Sequence, residues 1–361
     1  MTTPKKILFV SCSAGAGHKR AAEALRLTCA KIYPDIEARH IDLIDYSNGL
    51  VKKTASSYHF LAKHLPDVYG LLYDGSDSTI AAKFLNYFSS IFQINTKKLR
   101  RFVKQYNPDR IICTHFLASP FLKSFAETTP LDMLITDYEL NKVVLDPKIR
   151  YFFAPEKGIA DEISALGRQA YATGIPIHPQ FFEQKNFNQT LNDFGLNIDI
   201  PTVLVMSGGT GLADTTSLVK KVLKNQQKMN LLVISGKNNR QLYGKLSRLT
   251  APSNINYKIV DFTERIDELM KTADLIITKP GGLTITECMH LAKPLLLVSP
   301  IPGQEEANIR FLEKNNYGRL VADHNEITNL IDLVLNGTLK FTSPVLPVNA
   351  AETILQLSFT D

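Results

Sequence analysis

Three stretches of the chain gather small and polar residues at spacings that could do chemistry. The first, SCSAGAGHKRAAEAL (residues 11–25), places Ala14, Gly15, Ala16, Gly17 and His18 directly after the apolar run KILFV. Such a stretch is either a tight chain reversal or a place where backbone must come close to a ligand, which glycine permits because it has no Cβ. The second, MSGGTG, contains Ser207, Gly208, Gly209 and Thr210. The third, ITKPGGLTITECMHLAKPLLLVSPIPGQEEAN (277–308), is more specific. Gly281 and Gly282 precede a helix expected to begin at Leu283, and a helix N-terminus offers free N–H groups and a positive dipole end that suit phosphate. Glu287 lies three residues after Thr284 and shares its face, where a carboxylate can accept hydrogen bonds from ribose hydroxyls. Pro302 and Gly303 lead into Gln304, Glu305 and Asn308. Gln304 and Asn308 share a helix face, and amides and carboxylates beside a glycine turn suit the several hydroxyls of a sugar.

The elements needed to position these groups are visible in the hydrophobic pattern. KILFVS, RIICTH, DMLIT, YFFAP and QAYATG read as strands, and HKRAAEALRLTCAKIY and TKKLRRFVKQYNP as helices, the second stopped by Asn107-Pro108. Little polar alternation in the strands points to parallel strands covered on both faces. TGIPIHPQFFEQ (173–184) is a plausible linker, and the alternation then restarts with TVLVMSGGTG, NLLVISG, NYKIVDF, DLIITKPGG and PLLLVSP. EEANIRFLEKNNYG reads as a helix with Gly318 at its C′ position. The expected fold is α/β, with two Rossmann-like domains at residues 1–172 and 173–348, and a C-terminal segment, 349–361, packing back on the first. A cleft between two such domains is the default place for a ligand.

Composition narrows the class. With 361 residues, 44% hydrophobic and 21% charged, the chain reads as a soluble two-domain protein. Its four cysteines are far apart, so neither a disulfide framework nor a zinc site is expected. No apolar run reaches the length of a signal or membrane segment, which gives a cytoplasmic expectation. The glycine turns lack the GxxxxGK[ST] pattern of a nucleoside triphosphatase and the GxGxxG of a dehydrogenase. Residues 52–104 hold nine Lys and Arg against three Asp, a net +6 that equals the formal charge of the whole chain. Tyr87, Phe88 and Phe92 are interleaved with this charge, in AAKFLNYFSSIF, an amphipathic helix candidate. The segment is read either as core helices with solvated basic faces or as an interfacial region for an anionic membrane. No nucleic-acid-binding module is visible.

Taken together, GAGHKRAAEAL, NPDRIICTH, TDYELNKVVLDPKIRYFFAP, TGIPIHPQFF, MSGGTG, VDFTERIDELMKTADLIITKPGGLTITE and PIPGQEEAN resemble the lipid-directed GT-B glycosyltransferases. These are the monogalactosyldiacylglycerol synthases, the processive diacylglycerol glucosyltransferases and, more distantly, the lipid II N-acetylglucosaminyltransferase. The resemblance implies a GT-B fold, a UDP-sugar donor and no obligatory metal or other cofactor. By that resemblance Gly282, Leu283 and Thr284 meet the diphosphate and Glu287 the ribose, with Gly281 in the same donor site. Phe262 and Ile266 flank the uracil, and Ser207, Gly208, Gly209 and Thr210 also belong to the donor site. Gly303, Gln304, Glu305 and Asn308 meet the sugar, with Pro302 in the same donor site. Gly15 and Gly17 let a loop close over the diphosphate and acceptor, and His18 is the general base, with a pKa suited to deprotonating an alcohol near neutral pH. His115 and Asp137 are acceptor-side candidates, His115 being equally a buried structural histidine. Asn141 and Val144 depart from the family pattern, where a histidine and an aromatic residue are more usual. The expected reaction moves a glucose or galactose to a membrane lipid, most simply 1,2-diacylglycerol, with inversion, at the cytoplasmic face of a membrane. Transfer to an isoprenoid lipid, epimerisation of a UDP-sugar, and a catalytically idle nucleotide-sugar-binding regulator are the alternatives.

Overall fold

The computed structural model describes residues 5–12, 16–46, 96–141, 144–206, 215–236, 239–300, 304–347 and 349–360. Most of the basic segment, including AAKFLNYFSSIF, lies outside these, as do Gly15, Ser207, Gly208, Gly209, Thr210, Pro302 and Gly303. The chain forms two compact units. One is Met1–Pro179 with Ile301–Ala307 and Pro347–Asp361, and the other is Gln180–Pro300 with Asn308–Leu346.

The first unit is built on strands β1 (Lys6–Ser11), β2 (Glu37–Asp42), β3 (Arg110–Cys113), β4 (Leu131–Leu134), β5 (Phe152–Ala154) and β6 (Ala170–Ala172). They form one sheet in the order β2-β1-β3-β4-β5-β6, and every pairing is parallel. β3 and β4 are buried along their whole length, as expected of strands covered on both faces. Alternate side chains feed two cores. Leu8, Val10, Ile111 and Met133 pack with Leu99 and Val103 of helix α2 (Thr96–Tyr106). Ile7, Phe9, Ile112 and Phe153 pack with Ala21, Leu25 and Cys29 of α1 (Ala16–Ile32). A short α3 (Ser119–Leu122) and α4 (Lys157–Ala165) complete the order before the last helix. α2 stops where the Asn-Pro pair predicts, with Asn107 left-handed at φ 50°. Its opposite face carries Lys97, Lys98, Arg100, Arg101 and Lys104, all exposed.

The C-terminal helix, residues Ala350–Phe359, packs Ala351, Ile354 and Leu355 into the α1-side core. Its end is clasped by buried charge. Arg150 is bidentate to the fully buried Asp132 at 3.0 and 2.9 Å, and Ser358 Oγ donates to Asp132 at 2.6 Å. Arg110 and Arg150 both donate to the Ser358 carbonyl at 2.9 Å. Two guanidinium groups thereby satisfy carbonyl groups at the negative end of the helix dipole.

The second unit repeats the scheme. After α5 (Phe187–Asp193), strands β7 (Thr202–Met206), β8 (Met229–Ile234), β9 (Ile255–Val260), β10 (Leu275–Thr278), β11 (Leu295–Leu297) and β12 (Arg319–Leu320) form a parallel sheet. The order is β12-β11-β10-β7-β8-β9. Helices α6 (Thr215–Val222), α7 (Arg240–Leu246), α8 (Ile266–Thr272), α9 (Gly282–His290), α10 (Gln304–Lys314) and α11 (Ile327–Leu335) connect these strands, and the C-terminal helix is accordingly α12.

Two local expectations are corrected. Gly318 is not the C′ residue of α10. The amide of Asn316 donates to Glu313 O and that of Tyr317 to Leu312 O, a Schellman closure with Asn316 left-handed at φ 53°. Gly318 serves a different need, since a Cβ there would sit 3.0 Å from Leu295 Cβ on the neighbouring strand β11. Gly17, expected in a loop, is the second residue of α1, because the helix starts at Ala16.

Candidate active site

Each sheet reverses its strand order once, and loops leaving adjacent strands in opposite directions open a crevice there at the carboxyl ends. In the first unit the reversal lies between β1 and β3. The helix after β1 and the loop after β3 meet at His18. His18 Nδ1 lies 2.6 Å from the carbonyl oxygen of Thr114 and 2.9 Å from Thr136 Oγ1. In return, Thr114 Oγ1 donates to His18 O at 2.9 Å. A carbonyl can only accept, so the proton is assigned to Nδ1, and Nε2 is left with its lone pair. Desolvation by burial lowers the His18 pKa from its ordinary value, outweighing the nearby Asp137 charge and the Thr114 hydrogen bond, which raise it. A neutral imidazole with a fixed tautomer and a basic Nε2 is the form a general base requires.

His115 stands edge-on against His18, with ring centroids 4.4 Å apart, and stacks on Phe116. It is 4% exposed, and its Nδ1 accepts the Leu117 amide at 3.1 Å. Burial, and then His18, hold its pKa well below the ordinary value. It is a buried, neutral wall for His18. Asp137, half-buried, follows Thr136 beyond β4. Val144 is buried in the α2-side core and its amide donates to the Asn141 carbonyl.

In the second unit the order reverses between β7 and β10. Gly281 is the N-cap of α9, with extended backbone at φ −68° and ψ 132°. The helix therefore begins at Gly282, one residue earlier than expected. The amides of Gly282, Leu283 and Thr284 stand in its first turn, ahead of the first i−4 bond, which Ile285 N makes to Gly281 O at 3.0 Å. Glu287 is 1% exposed, a buried carboxylate rather than a solvated one. Asn308, fully buried in α10, donates from Nδ2 to the Pro280 carbonyl at 2.9 Å and so braces the Lys279–Gly282 turn. Glu305 is buried, Ile266 opens α8, and Phe262 is half exposed. Among the described residues, no group of three or more His, Cys, Asp and Glu could hold a metal ion. Nor is any described helix long and apolar enough to cross a membrane.

The Thr114 carbonyl and the Thr136 hydroxyl were missed from sequence. The only signal available was that CTH and ITD place polar residues at the carboxyl ends of apolar strands, where ligand sites form.

Two parallel sheets, each with its ligand-type turns at a strand-order reversal, make a GT-B fold. The Acinetobacter baumannii MurG structure shares it, with a TM-score of 0.61 at 15% identity, covering 98% of this chain and 99% of that one. So does the Neisseria meningitidis UDP-GlcNAc 2-epimerase bound to UDP-GlcNAc, at TM-score 0.59 and 14% identity, covering 97% and 98%. The monogalactosyldiacylglycerol (MGDG) synthase family matches residues 18–177, and the glycosyltransferase family 28 C-terminal domain matches residues 202–352. The two matches fall one on each part of the chain, and with them the chain is a glycosyltransferase. The processive diacylglycerol beta-glucosyltransferase of Bacillus subtilis is 28% identical over 345 residues, 93% of this chain and 88% of that protein. The Staphylococcus aureus N315 enzyme of the same name is 24% identical over 357 residues, covering 96% and 88%.

Proposed function

We propose that this enzyme transfers a hexose, glucose in the first instance, from a UDP-sugar to 1,2-diacylglycerol at a membrane surface, inverting the anomeric centre to a β-glycoside. One observation carries the reading. Relatives named diacylglycerol beta-glucosyltransferases align over nearly the whole chain, and the MGDG synthase match begins at His18 itself. In the reaction, His18 Nε2 takes the proton of the lipid hydroxyl as its oxygen attacks the anomeric carbon. The bond from that carbon to the diphosphate breaks, and UDP leaves with the electron pair. Free amides at the start of α9 and its dipole meet the developing charge on the diphosphate, and Glu287 accepts from the ribose hydroxyls. Glu305 and Asn308 serve the sugar. Phe262 and Ile266 flank the base. The exposed lysines and arginines of α2 face anionic headgroups.

The test is to incubate the purified enzyme with a panel of UDP-sugars and diacylglycerol vesicles and to analyse the lipid by mass. One hexose added to diacylglycerol from UDP-glucose supports the reading. Conversion of free UDP-sugar to its epimer without lipid would replace it with an epimerase, and transfer only to an isoprenoid phosphate would replace the acceptor.

A further inference from the structure

Next to His18 stands a second imidazole to which the transfer step gives no task. His115 caps the short helical turn Phe116–Ala118, and its Nδ1 accepts the Leu117 amide at 3.1 Å. A backbone amide can only donate, so Nδ1 holds its lone pair and the ring is neutral. The one proton of this neutral imidazole therefore sits on Nε2. His18 has the opposite tautomer, with Nδ1 protonated toward the Thr114 carbonyl and Nε2 bare. The two rings meet edge-on, with centroids 4.4 Å apart. The carboxyl edge of the first sheet thus sets one acceptor nitrogen beside one donor nitrogen.

Among the described residues no group accepts from His115 Nε2, although the residue is only 4% exposed. The one side-chain nitrogen or oxygen sealed from solvent without a hydrogen bond, again among the described residues, is Asp267 Oδ2 in the second unit. Nε2 of His115 is therefore not sealed in, and its N–H opens onto the site. Nearly buried donors inside proteins are paired, so one left open beside a reacting group is placed for a ligand atom. A third ring indicates which atom. Phe116 stacks on His115 with centroids 4.6 Å apart, and is half-buried against the α2-side core. The three rings run from a base, through a neutral donor, to an apolar face. A diacylglycerol shows the same succession: a hydroxyl, the ester carbonyl on the neighbouring carbon, and an acyl chain. A neutral N–H brings no charge to select a diphosphate, whereas an ester carbonyl, which only accepts, matches it.

We propose that His115 reads the acyl ester of the lipid acceptor: its Nε2–H donates to the ester carbonyl beside the hydroxyl whose proton His18 takes. This rests on the function proposed above. His115 keeps its proton throughout. The hydroxyl proton passes to His18 Nε2, the hydroxyl oxygen bonds to the anomeric carbon, and UDP leaves with the electron pair. Holding the ester turns the neighbouring hydroxyl toward the base, so His115 determines which lipids react. A lipid with the same hydroxyl and chains but no carbonyl leaves Nε2–H unpaired in the complex and reacts more slowly for that reason.

The experiment measures kcat/KM with UDP-glucose on vesicles holding either 1,2-diacylglycerol or its ether analogue, 1,2-dialkylglycerol, for wild type, His115→Phe and His115→Asn. Phe keeps a ring packed against His18 and carries no donor. Asn keeps an oxygen that caps the Leu117 amide and lacks the reach of the imidazole. One variant preserves the packing and the other the cap, so the test survives the loss of either protein. Wild type should favour the diacyl lipid by roughly three- to tenfold, the size set by one neutral hydrogen bond. Both variants should bring that ratio close to one, whatever their absolute rates. A wild-type enzyme with no preference, or a folded variant that slows both lipids equally and keeps the preference, would overturn the proposal and leave the proposed function standing. A wild-type enzyme that glycosylates neither lipid would reject that function, and this contact with it.

Discussion

Replacing His18 with alanine removes the imidazole proposed as the general base, whose tautomer the fold sets. The contacts of 2.6 Å to the Thr114 carbonyl and 2.9 Å to Thr136 Oγ1 hold the proton on Nδ1 and leave Nε2 with its lone pair. General-base catalysis contributes about 10²–10⁴ in rate. At 1.36 kcal/mol per tenfold, the expected rise in barrier is about 2.7–5.4 kcal/mol. Binding of UDP should be unchanged, since Glu287 and the start of α9 belong to the other unit. The pH profile gives a second reading of the same group. Burial lowers the His18 pKa from its ordinary value, so the base is already unprotonated at neutral pH. Wild-type kcat should be flat there and fall as pH drops through the folded pKa, and the alanine variant should lack that acid limb. Thr136→Val, which removes one contact of Nδ1, should cost about two- to tenfold in kcat, and Thr136→Ser should restore it. Turnover is followed as UDP release on lipid vesicles from about pH 5 to pH 8, with UDP affinity from calorimetry. A folded His18→Ala enzyme with near wild-type kcat, or one that keeps the acid limb, would refute the assignment.

Glu287→Ala should weaken UDP binding by about tenfold or more through loss of a charged hydrogen-bond partner, measured calorimetrically, and an unchanged affinity would reject the ribose contact. Changing Lys97, Lys98, Arg100 and Arg101 to Gln should release the protein from anionic vesicles, at about 1 kcal/mol per cation, and leave UDP affinity alone. Raised salt should weaken wild-type binding similarly, and equal sedimentation of both proteins would reduce the cluster to a solvated helix face. Burial lowers the pKa values of His18, His40 and His115 in the folded state. As pH falls below about 6.5, the unfolded chain therefore binds protons that the folded one does not. The stability these neutral rings contribute is complete above that pH and is lost on acidification toward the folded pKa values. Denaturant midpoints taken down the acid range should fall, less so for His115→Gln, and a midpoint insensitive to acid would contradict the burial argument.

The architecture was legible because β3, β4 and β7 are buried along their whole length, so their residues are near-continuous apolar runs separated by helical periodicity. His18 and Glu287 could be singled out because each stands at a fixed offset from a glycine turn. The groups that give His18 its tautomer could not. Thr114 and Thr136 are 96 and 118 residues away, and one of them acts through a carbonyl, which every residue carries. The contact of Ser11 Oγ with His40 Nε2 at 2.8 Å was hidden for the same reason, being made by the parallel pairing of β1 with β2, with Glu23 of α1 3.4 Å from the other ring nitrogen. The end of α10 was misjudged because both Asn and Gly tolerate left-handed backbone. The closing hydrogen bonds select Asn316, and packing against Leu295 accounts for Gly318.

The central claim is that a hexose passes from UDP to a diacylglycerol hydroxyl with inversion. Its most direct measurement is the anomeric configuration of the lipid product made from UDP-glucose and diacylglycerol vesicles, read by proton NMR of the purified glycolipid. Direct displacement assisted by His18 predicts a single β-linked glucosyldiacylglycerol, absent from a parallel incubation with His18→Ala. An α-linked product, or no glycolipid from a folded enzyme that binds UDP, would contradict it.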